Sequence, residues 1–224
     1  MNILHPLLCY YPSQAGGPAN AIYWLNKALD PSLFSSKIIT TQFGIVNTIN
    51  SKEYSKNHKV LFLKDKGKSY IKQSIQELNT SNVVQFSSLF FPPTLPILFS
   101  AILKNKTIII SPRGELYGAA INQKKFRKKL WISAIRLFQN KINFHATNDF
   151  ELKIIRKIFP KAKSTVTIPN YIEMPEKKEL DIKMTFVFVG RINPIKNIHL
   201  LIDSIAEVNK LYPKVQLDIV GSAR

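Results

Sequence analysis

Acidic residues are scarce in this chain. Fourteen Asp and Glu stand against thirty-two Lys and Arg, which gives a formal net charge of +18 at pH 7. Such an excess favours anionic partners, namely nucleotide phosphates, nucleic acid or an acidic membrane face, and it carries no information about the fold. Cysteine is scarcer still, because Cys9 has no second cysteine with which to form an internal disulfide. A reduced, cytoplasmic protein is therefore expected.

The sequence also lacks the patterns of a leader, a membrane span or a metal site. No secretory signal is expected, since no basic segment precedes the first apolar residues. The most apolar stretch, 89–103, contains three prolines and is too short to cross a bilayer. There is no Asp-x-Asp pair and no His/Cys cluster with ligand spacing, so no metal ion is expected. The four histidines, His145 among them, are scattered and receive no role.

What is present is a regular alternation of short apolar segments and longer amphipathic ones. It predicts nine strands and six helices, with the first strand over 3–10 and a basic helix over 123–140. Alternation of this kind predicts an α/β fold with parallel sheets covered on both faces. Residues 171–183 carry a Glu/Lys-rich run without apolar periodicity, and they predict a linker between a domain of residues 1–170 and a second part of residues 184–224.

The second part is predicted to contain only strand, helix and strand. One such βαβ unit cannot cover its own apolar faces. We therefore expect an incomplete second domain, and a chain that stops partway through it.

The segment 185–202 predicts a buried strand, a turn at Gly190 and a helix beginning near Lys196. Arg191 and Lys196 lie at this turn. The first N–H groups of a helix lack partners and attract anions, so two added cations predict a phosphate or diphosphate site. The alternative interpretation is a βα turn with two solvated cations.

Two further loops follow predicted strands. Gly16 and Gly17 lie between the first strand and the first helix, where they can adopt positive φ and allow a ligand to approach the backbone. Arg113 and Glu115, in the sequence Ser-Pro-Arg-Gly-Glu, close the fifth strand, and ligands of open α/β sheets bind at the carboxyl ends of strands. A surface Arg–Glu pair of little energetic consequence is the alternative.

The segment 122–141 is strongly basic and contains no acidic residue. Its apolar residues follow helical spacing, as amphipathic helices do: Phe126, Leu130, Ala134, Leu137 and Phe138. Three interpretations stay open: a solvated face of a packed helix, attachment to an anionic membrane surface, or nucleic-acid binding. The last is disfavoured, because no aromatic residues alternate with the cations on a predicted sheet.

Taken in order, these motifs resemble the retaining glycosyltransferases of family four, which have the GT-B fold. The resemblance rests on Gly-Gly-Pro after the first strand, Ser-Pro-Arg-Gly-Glu, and Gly-Arg-Ile-x-Pro-x-Lys, and it extends over nearly the whole chain. It implies that Arg191 and Lys196 neutralise the diphosphate of a nucleotide-sugar donor. It also implies that Gly16 and Gly17 lie near the donor phosphates and that Arg113 and Glu115 lie on the acceptor side.

The resemblance has three departures. Asn197 replaces the usual glycine after the lysine. The segment 83–92 offers Gln85, Ser87 and Ser88 but no histidine, so no catalytic residue can be named. The paired glutamates that hold the donor sugar in the family would lie beyond Val220.

The resemblance implies a GT-B-like α/β protein with one complete Rossmann-like domain and the first βαβ unit of a second. Its expected activity is metal-independent transfer of a sugar from a nucleotide diphosphate to a saccharide or lipid-linked acceptor, in bacterial surface-polysaccharide synthesis. Peripheral contact with the inner membrane face is an associated expectation, and nucleic acid is not an expected partner. The alternative is a non-catalytic acceptor-binding or membrane-docking module.

Overall fold

The computed structural model describes residues 1–13, 17–45, 58–118, 121, 125–174, 176, 184–190 and 192–221. The chain divides into two compact units, Met1–Glu173 and Met174–Arg224. Each unit is an α/β body of its own.

The first unit is built on a seven-stranded parallel sheet. Its strands are β1 (Asn2–Pro6), β2 (Ser35–Thr41), β3 (His58–Leu63), β4 (Val83–Phe86), β5 (Thr107–Ile110), β6 (Ile142–Ala146) and β7 (Ser164–Thr167). They lie in the order β3-β2-β1-β4-β5-β6-β7, and every neighbouring pair is parallel. The order reverses between β1 and β4, which makes that pair the switch point of a Rossmann-like sheet.

Within the described part of the first unit, five α-helices connect these strands. They are α1 (Gly17–Ala28), α2 (Lys68–Glu77), α3 (Thr94–Leu103), α4 (Lys125–Arg136) and α5 (Asp149–Ile158). The polar turn before α5 caps that helix, since the Asn148 side chain accepts a hydrogen bond from the Glu151 backbone N–H at 2.9 Å. Acidic residues in the first turn of α5 and basic residues in its last turn complement the helix dipole.

Both faces of the sheet are covered because adjacent strand residues point to opposite sides. Ile38 packs with Ile22 of α1, whereas its neighbour Ile39 belongs to the larger core on the other face. That larger core includes buried residues from α2, α3, α4 and α5, such as Tyr70 and Ile135. The predicted α/β fold with a parallel sheet flanked by helices is therefore confirmed.

The element predictions differ from the structure mainly at their ends. β1 ends at Pro6, although the sequence predicted a strand over 3–10. Leu7, Cys9 and Tyr10 are nevertheless buried. An apolar run indicates burial but does not by itself specify strand geometry. Here the later residues of the run are buried within the loop that follows β1. The basic helix α4 is followed by a 3-10 turn at Gln139–Lys141, within the range that had been predicted as one helix.

The second unit is a βαβ arrangement. β8 (Thr185–Val189) and β9 (Gln216–Val220) pair in parallel, and α6 (Ile198–Leu211) connects them. Ile205 and Val215 are buried. Several other large apolar side chains of this unit are exposed: Phe186, Val187, Val189, Leu200, Ile202 and Val220.

Among the residues that the model describes, no helix is both long enough and apolar enough to cross a membrane.

Candidate functional site

A cavity of about 340 Å³ lies at the switch point of the sheet, and we call it the β1–β4 cavity. The segment after β1 forms one wall, and the segment after β4 forms the other. Glu115, from the loop after β5, and Lys66 and Pro18 complete the lining. The location agrees with the general rule that open α/β sheets bind ligands where the strand order reverses.

Glu115 anchors the loop after β4 from the wall of this cavity. Its carboxylate accepts a hydrogen bond from the Ser88 hydroxyl at 2.6 Å and another from the Leu89 backbone N–H at 2.5 Å. Burial raises the pKa of Glu115, and these hydrogen bonds oppose the rise. Arg113 is not its partner, so the alternative of a surface Arg–Glu pair is wrong. The role of Glu115 towards an acceptor stays a prediction.

Gly17 is the first residue of α1, and the next residue, Pro18, lines the β1–β4 cavity. A Cβ atom built on Gly17 would meet nothing within 4 Å, so the space beside its backbone is open. Its φ is not positive, so Gly17 does not use the left-handed conformation that a glycine can adopt. Helix geometry at the start of α1 explains this. Gly16 lies outside the described residues.

Arg113 points away from Glu115 and is held in an unusual backbone conformation. Its φ is 50°, in the left-handed region that costs non-glycine residues free energy. Its Nη1 donates a hydrogen bond to the Asn170 side-chain oxygen. Its Nε–H is buried and has no hydrogen-bond partner among the described residues. Burial lowers the pKa of Arg113, and the negative charge of Glu151 opposes that shift.

Glu151 connects the loop after β5 with the loop after β6. It is fully buried. Its carboxylate accepts hydrogen bonds from the Gly114 N–H at 2.6 Å, the Thr147 N–H at 2.8 Å and the Thr147 hydroxyl at 2.9 Å. Glu151 was not among the predicted site residues. The sequence does contain a pattern that indicates its position, because Asn148 and Glu151 have the spacing of a capping box, in which the glutamate turns back towards the start of the helix.

His145 and Ser111 form a hydrogen-bonded pair beside Arg113. The Ser111 hydroxyl lies 2.8 Å from Nδ1 of His145, and Nε2 of the same ring lies 2.8 Å from the Ile168 carbonyl oxygen. A carbonyl can only accept, so Nε2 must carry a proton. In the neutral ring Nδ1 then accepts the proton of Ser111. Burial lowers the pKa of His145, which favours this neutral form, while the bond to Ile168 opposes the shift.

Sequence reasoning gave His145 no role. The role of His145 depends on the pairing of β5 with β6. Ile110 pairs with Phe144, so Ser111 and His145 lie opposite each other one residue further along the two strands. Sequence spacing alone does not reveal which strands pair.

A second cavity, of about 260 Å³, lies beside these groups, and we call it the Arg113 cavity. Its polar lining consists of Gln85, Arg113, His145 and Asn170, with Tyr171 at one wall. Its apolar lining consists of Ala21, Leu25, Ile109, Val166, Ile168 and Pro169. The cavity thus combines one cationic group with walls that suit the apolar faces of a small ligand.

The predicted diphosphate site lies in the second unit. Arg191 is outside the described residues. Lys196 is exposed and ends a 3-10 turn, Pro194–Lys196, so the helix begins at Ile198 and not near Lys196 as predicted. Asn197 separates turn and helix with a φ of 49°. Asparagine tolerates this left-handed conformation better than most residues, and glycine tolerates it best.

Three apolar residues of α4 and of the turn that follows it face outwards. Phe126 is 75% exposed, Leu130 59% and Leu137 77%. Ile135, in contrast, is buried, and Trp131 and Ile132 pack against the core. Of the five apolar residues with helical spacing, Phe126, Leu130 and Leu137 are therefore exposed and do not pack on the sheet, whereas Phe138 packs against the core.

A comparison with protein-family models and with curated proteins finds no match for this chain. Among the described residues, no group of three or more His, Cys, Asp and Glu side chains could hold a metal ion.

Proposed function

We propose that this chain is a glycosyltransferase of the retaining, GT-B type. In this proposal it transfers a sugar from a nucleotide-diphosphate sugar to a saccharide or lipid-linked acceptor of bacterial surface-polysaccharide synthesis, in the cytoplasm. The observation that carries the proposal is that Arg113 and Glu115, from one loop after β5, each line a cavity at the carboxyl edge of a Rossmann-like sheet. These two residues belong to the motif that resembles the acceptor side of the family.

A second observation supports the donor side. The family has glycine where this chain has Asn197, and Asn197 adopts a left-handed φ of 49°. A position with this backbone favours glycine first and asparagine next, so asparagine in place of the family's glycine is compatible with the backbone at this position.

The proposed catalysis is electrostatic. When the bond between sugar and diphosphate breaks, negative charge develops on the leaving phosphate oxygens. Arg191 and Lys196 would stabilise that charge, and Gly16 and Gly17 would supply backbone donors. The donor itself is the only co-substrate in this proposal, with no cofactor or metal ion.

Calorimetry with UDP and GDP tests the donor site on the chain as it is. We expect micromolar binding of one of them, weakened tenfold or more in Arg191→Ala and Lys196→Ala, because a charge-assisted hydrogen bond is worth about 1.5–3 kcal/mol. Lys214→Ala is the matched control, since Lys214 is an exposed lysine of the same unit next to the start of β9. Absence of binding by the unsubstituted chain would favour a non-catalytic module.

The exposed stripe of α4 favours that second candidate, a module that docks on a membrane. Phe126 and Leu130 lie one turn apart on one side of the helix, and Leu137 follows directly after its last residue. Arg127, Lys129 and Arg136 are exposed around them. Apolar side chains rimmed by cations are typical of helices that lie in an anionic lipid interface.

Co-sedimentation with vesicles containing phosphatidylglycerol tests this contact. We expect the chain to sediment with them and Phe126→Ser/Leu130→Ser to remain in solution. Leu211→Ser is the control, because Leu211 is 78% exposed on α6 outside the stripe. Equal sedimentation of all three proteins would reject α4 as the contact.

A further inference from the structure

Arg113 carries a charge that no acidic group among the described residues neutralises by contact. The ion pairs found among the described residues join Lys27 to Glu173, Lys37 to Glu77 and Lys210 to Glu207, and none includes Arg113. Burial of a charged group without a paired counter-charge is unfavourable. Its buried Nε–H is also without a hydrogen-bond partner in that part of the chain.

Glu151 is the acidic residue whose charge acts on Arg113, but its carboxylate already accepts hydrogen bonds from other groups. Gly114 and Thr147 donate three hydrogen bonds to it. The attraction between Glu151 and Arg113 acts without an ion-pair contact. Nη1 of Arg113 donates to Asn170, and among the described residues its Nε–H is left for another acceptor.

The backbone holds Arg113 in this position at a cost. Its φ of 50° is strained for an arginine, and the next residue, Gly114, has a φ of 83°. The bond from Gly114 to Glu151 and the bond from Arg113 to Asn170 hold the two ends of this conformation. Strain that surrounding contacts maintain is found most often at functional sites.

We propose that the Arg113 cavity binds a sugar or sugar-like ligand through one anionic group, a carboxylate or a phosphate. Arg113 supplies the charge, because its planar guanidinium can donate two parallel hydrogen bonds to such a group. Gln85 offers a neutral amide in the same cavity, and Leu25, Ile109 and Val166 contact the apolar face of the ring. The inference rests on the proposed function in one respect. If this ligand is the acceptor of the proposed sugar transfer, then the acceptor is anionic.

Calorimetry of the full chain with glucuronate, glucose 6-phosphate and glucose tests the proposal. We expect at least one anionic sugar to bind and glucose to bind at least tenfold more weakly. Binding of glucuronate alone identifies a carboxylate site, and binding of glucose 6-phosphate alone identifies a phosphate site. Equal binding of glucose, or no binding of either anion, overturns the proposal.

Two variants assign the binding to this cavity. Arg113→Gln removes the charge, and Val166→Trp fills the cavity from the exposed edge strand without altering Arg113. Both should weaken anion binding at least tenfold. Arg156→Gln is the control, because Arg156 bonds to Thr165 at the surface, outside the cavity lining. If Arg113→Gln fails to fold, unchanged binding in Val166→Trp still rejects the site.

The same preparations separate this proposal from the proposed function. Binding of glucuronate or glucose 6-phosphate without UDP or GDP binding supports the anion site and contradicts a working donor site. Nucleotide binding without anion binding does the reverse.

Discussion

The Ser111 hydroxyl oxygen lies 2.8 Å from Nδ1 of His145. The same imidazole contacts the Ile168 carbonyl through Nε2. A single neutral side chain on β6 therefore joins the end of β5 to the segment after β7. Both hydrogen bonds require one tautomer, so protonation of Nδ1 would break the bond that Ser111 donates.

The stability of the first unit should depend on His145 and pH. The pKa of His145 is lowered from 6.5 in the folded protein, so the unfolded chain takes up this proton first as the pH falls. The free energy of unfolding should decrease as the pH falls through 6.5 towards the lower folded pKa. Burial dominates the shift, the positive charge of Arg113 adds to it, and Glu151 opposes it.

Urea unfolding between pH 5 and pH 8 measures this dependence. Tryptophan fluorescence reports the first unit alone, because both tryptophans, Trp24 and Trp131, lie in it. In His145→Gln the loss of stability on acidification should be smaller than in the unsubstituted chain. Parallel pH profiles of the two proteins would show that His145 does not titrate as described.

The titration of Glu115 should change the free energy of unfolding with pH in the opposite direction to that of His145. Its pKa is raised from 4.5, so the folded state binds the proton more tightly than the unfolded state. The free energy of unfolding should therefore decrease as the pH rises from below 4.5 through the folded pKa. Glu115→Gln should remove this decrease, because glutamine does not titrate. Its amide can still donate to Ser88 while its oxygen accepts from Leu89, so the contacts are kept.

Glu115→Ala separates the charge from the contacts. It leaves the Leu89 N–H without its acceptor, so the loss should be about 1–3 kcal/mol at neutral pH. The measurement is again urea unfolding by tryptophan fluorescence. A variant with alanine as stable as the one with glutamine would mean that the contacts to Ser88 and Leu89 do not hold the loop.

Tyr70 should stabilise the segment after β1 through one hydrogen bond. Its buried hydroxyl lies 2.9 Å from the carbonyl oxygens of both Leu7 and Ile39, and its single proton serves one of them at a time. Tyr70→Phe keeps the ring and its edge contact with Phe91, so it should cost about 1 kcal/mol of unfolding free energy. Tyr11→Phe, at an exposed ring, is the control and should cost nothing measurable.

The N-cap of α5 should contribute measurably as well. Asn148→Ala removes the acceptor for the Glu151 N–H and should cost about 1 kcal/mol. Asn148→Asp should keep the cap and add a negative charge at the helix N-terminus. Urea unfolding of the three proteins checks the order, and an alanine variant as stable as the aspartate variant would contradict it.

Much of the fold was predictable because it depends on local signals. The sequence predicts strands over 83–86, 142–146, 185–189 and 216–220 and helices over 94–103 and 149–158, and β4, β6, β8, β9, α3 and α5 have the same bounds. It also predicts a polar turn over 147–149 at a helix start, and Asn148 is the N-cap there. Short β-branched runs, helical periodicity and a polar turn each act within a few residues. The candidate site was less predictable from the sequence. Arg113 and Glu115 were predicted to share a role, yet they line two different cavities.

The sequence by itself determined the succession of strands and helices, the parallel α/β class and the excess of positive charge, because composition and periodicity are properties of neighbouring residues. Only the tertiary structure decided that Ile135 and not Phe126 faces the core, since α4 carries apolar residues on two sides. It also decided that Ser111 meets His145, thirty-four residues away. Strand register and helix packing bring distant residues together, and no local pattern encodes that choice.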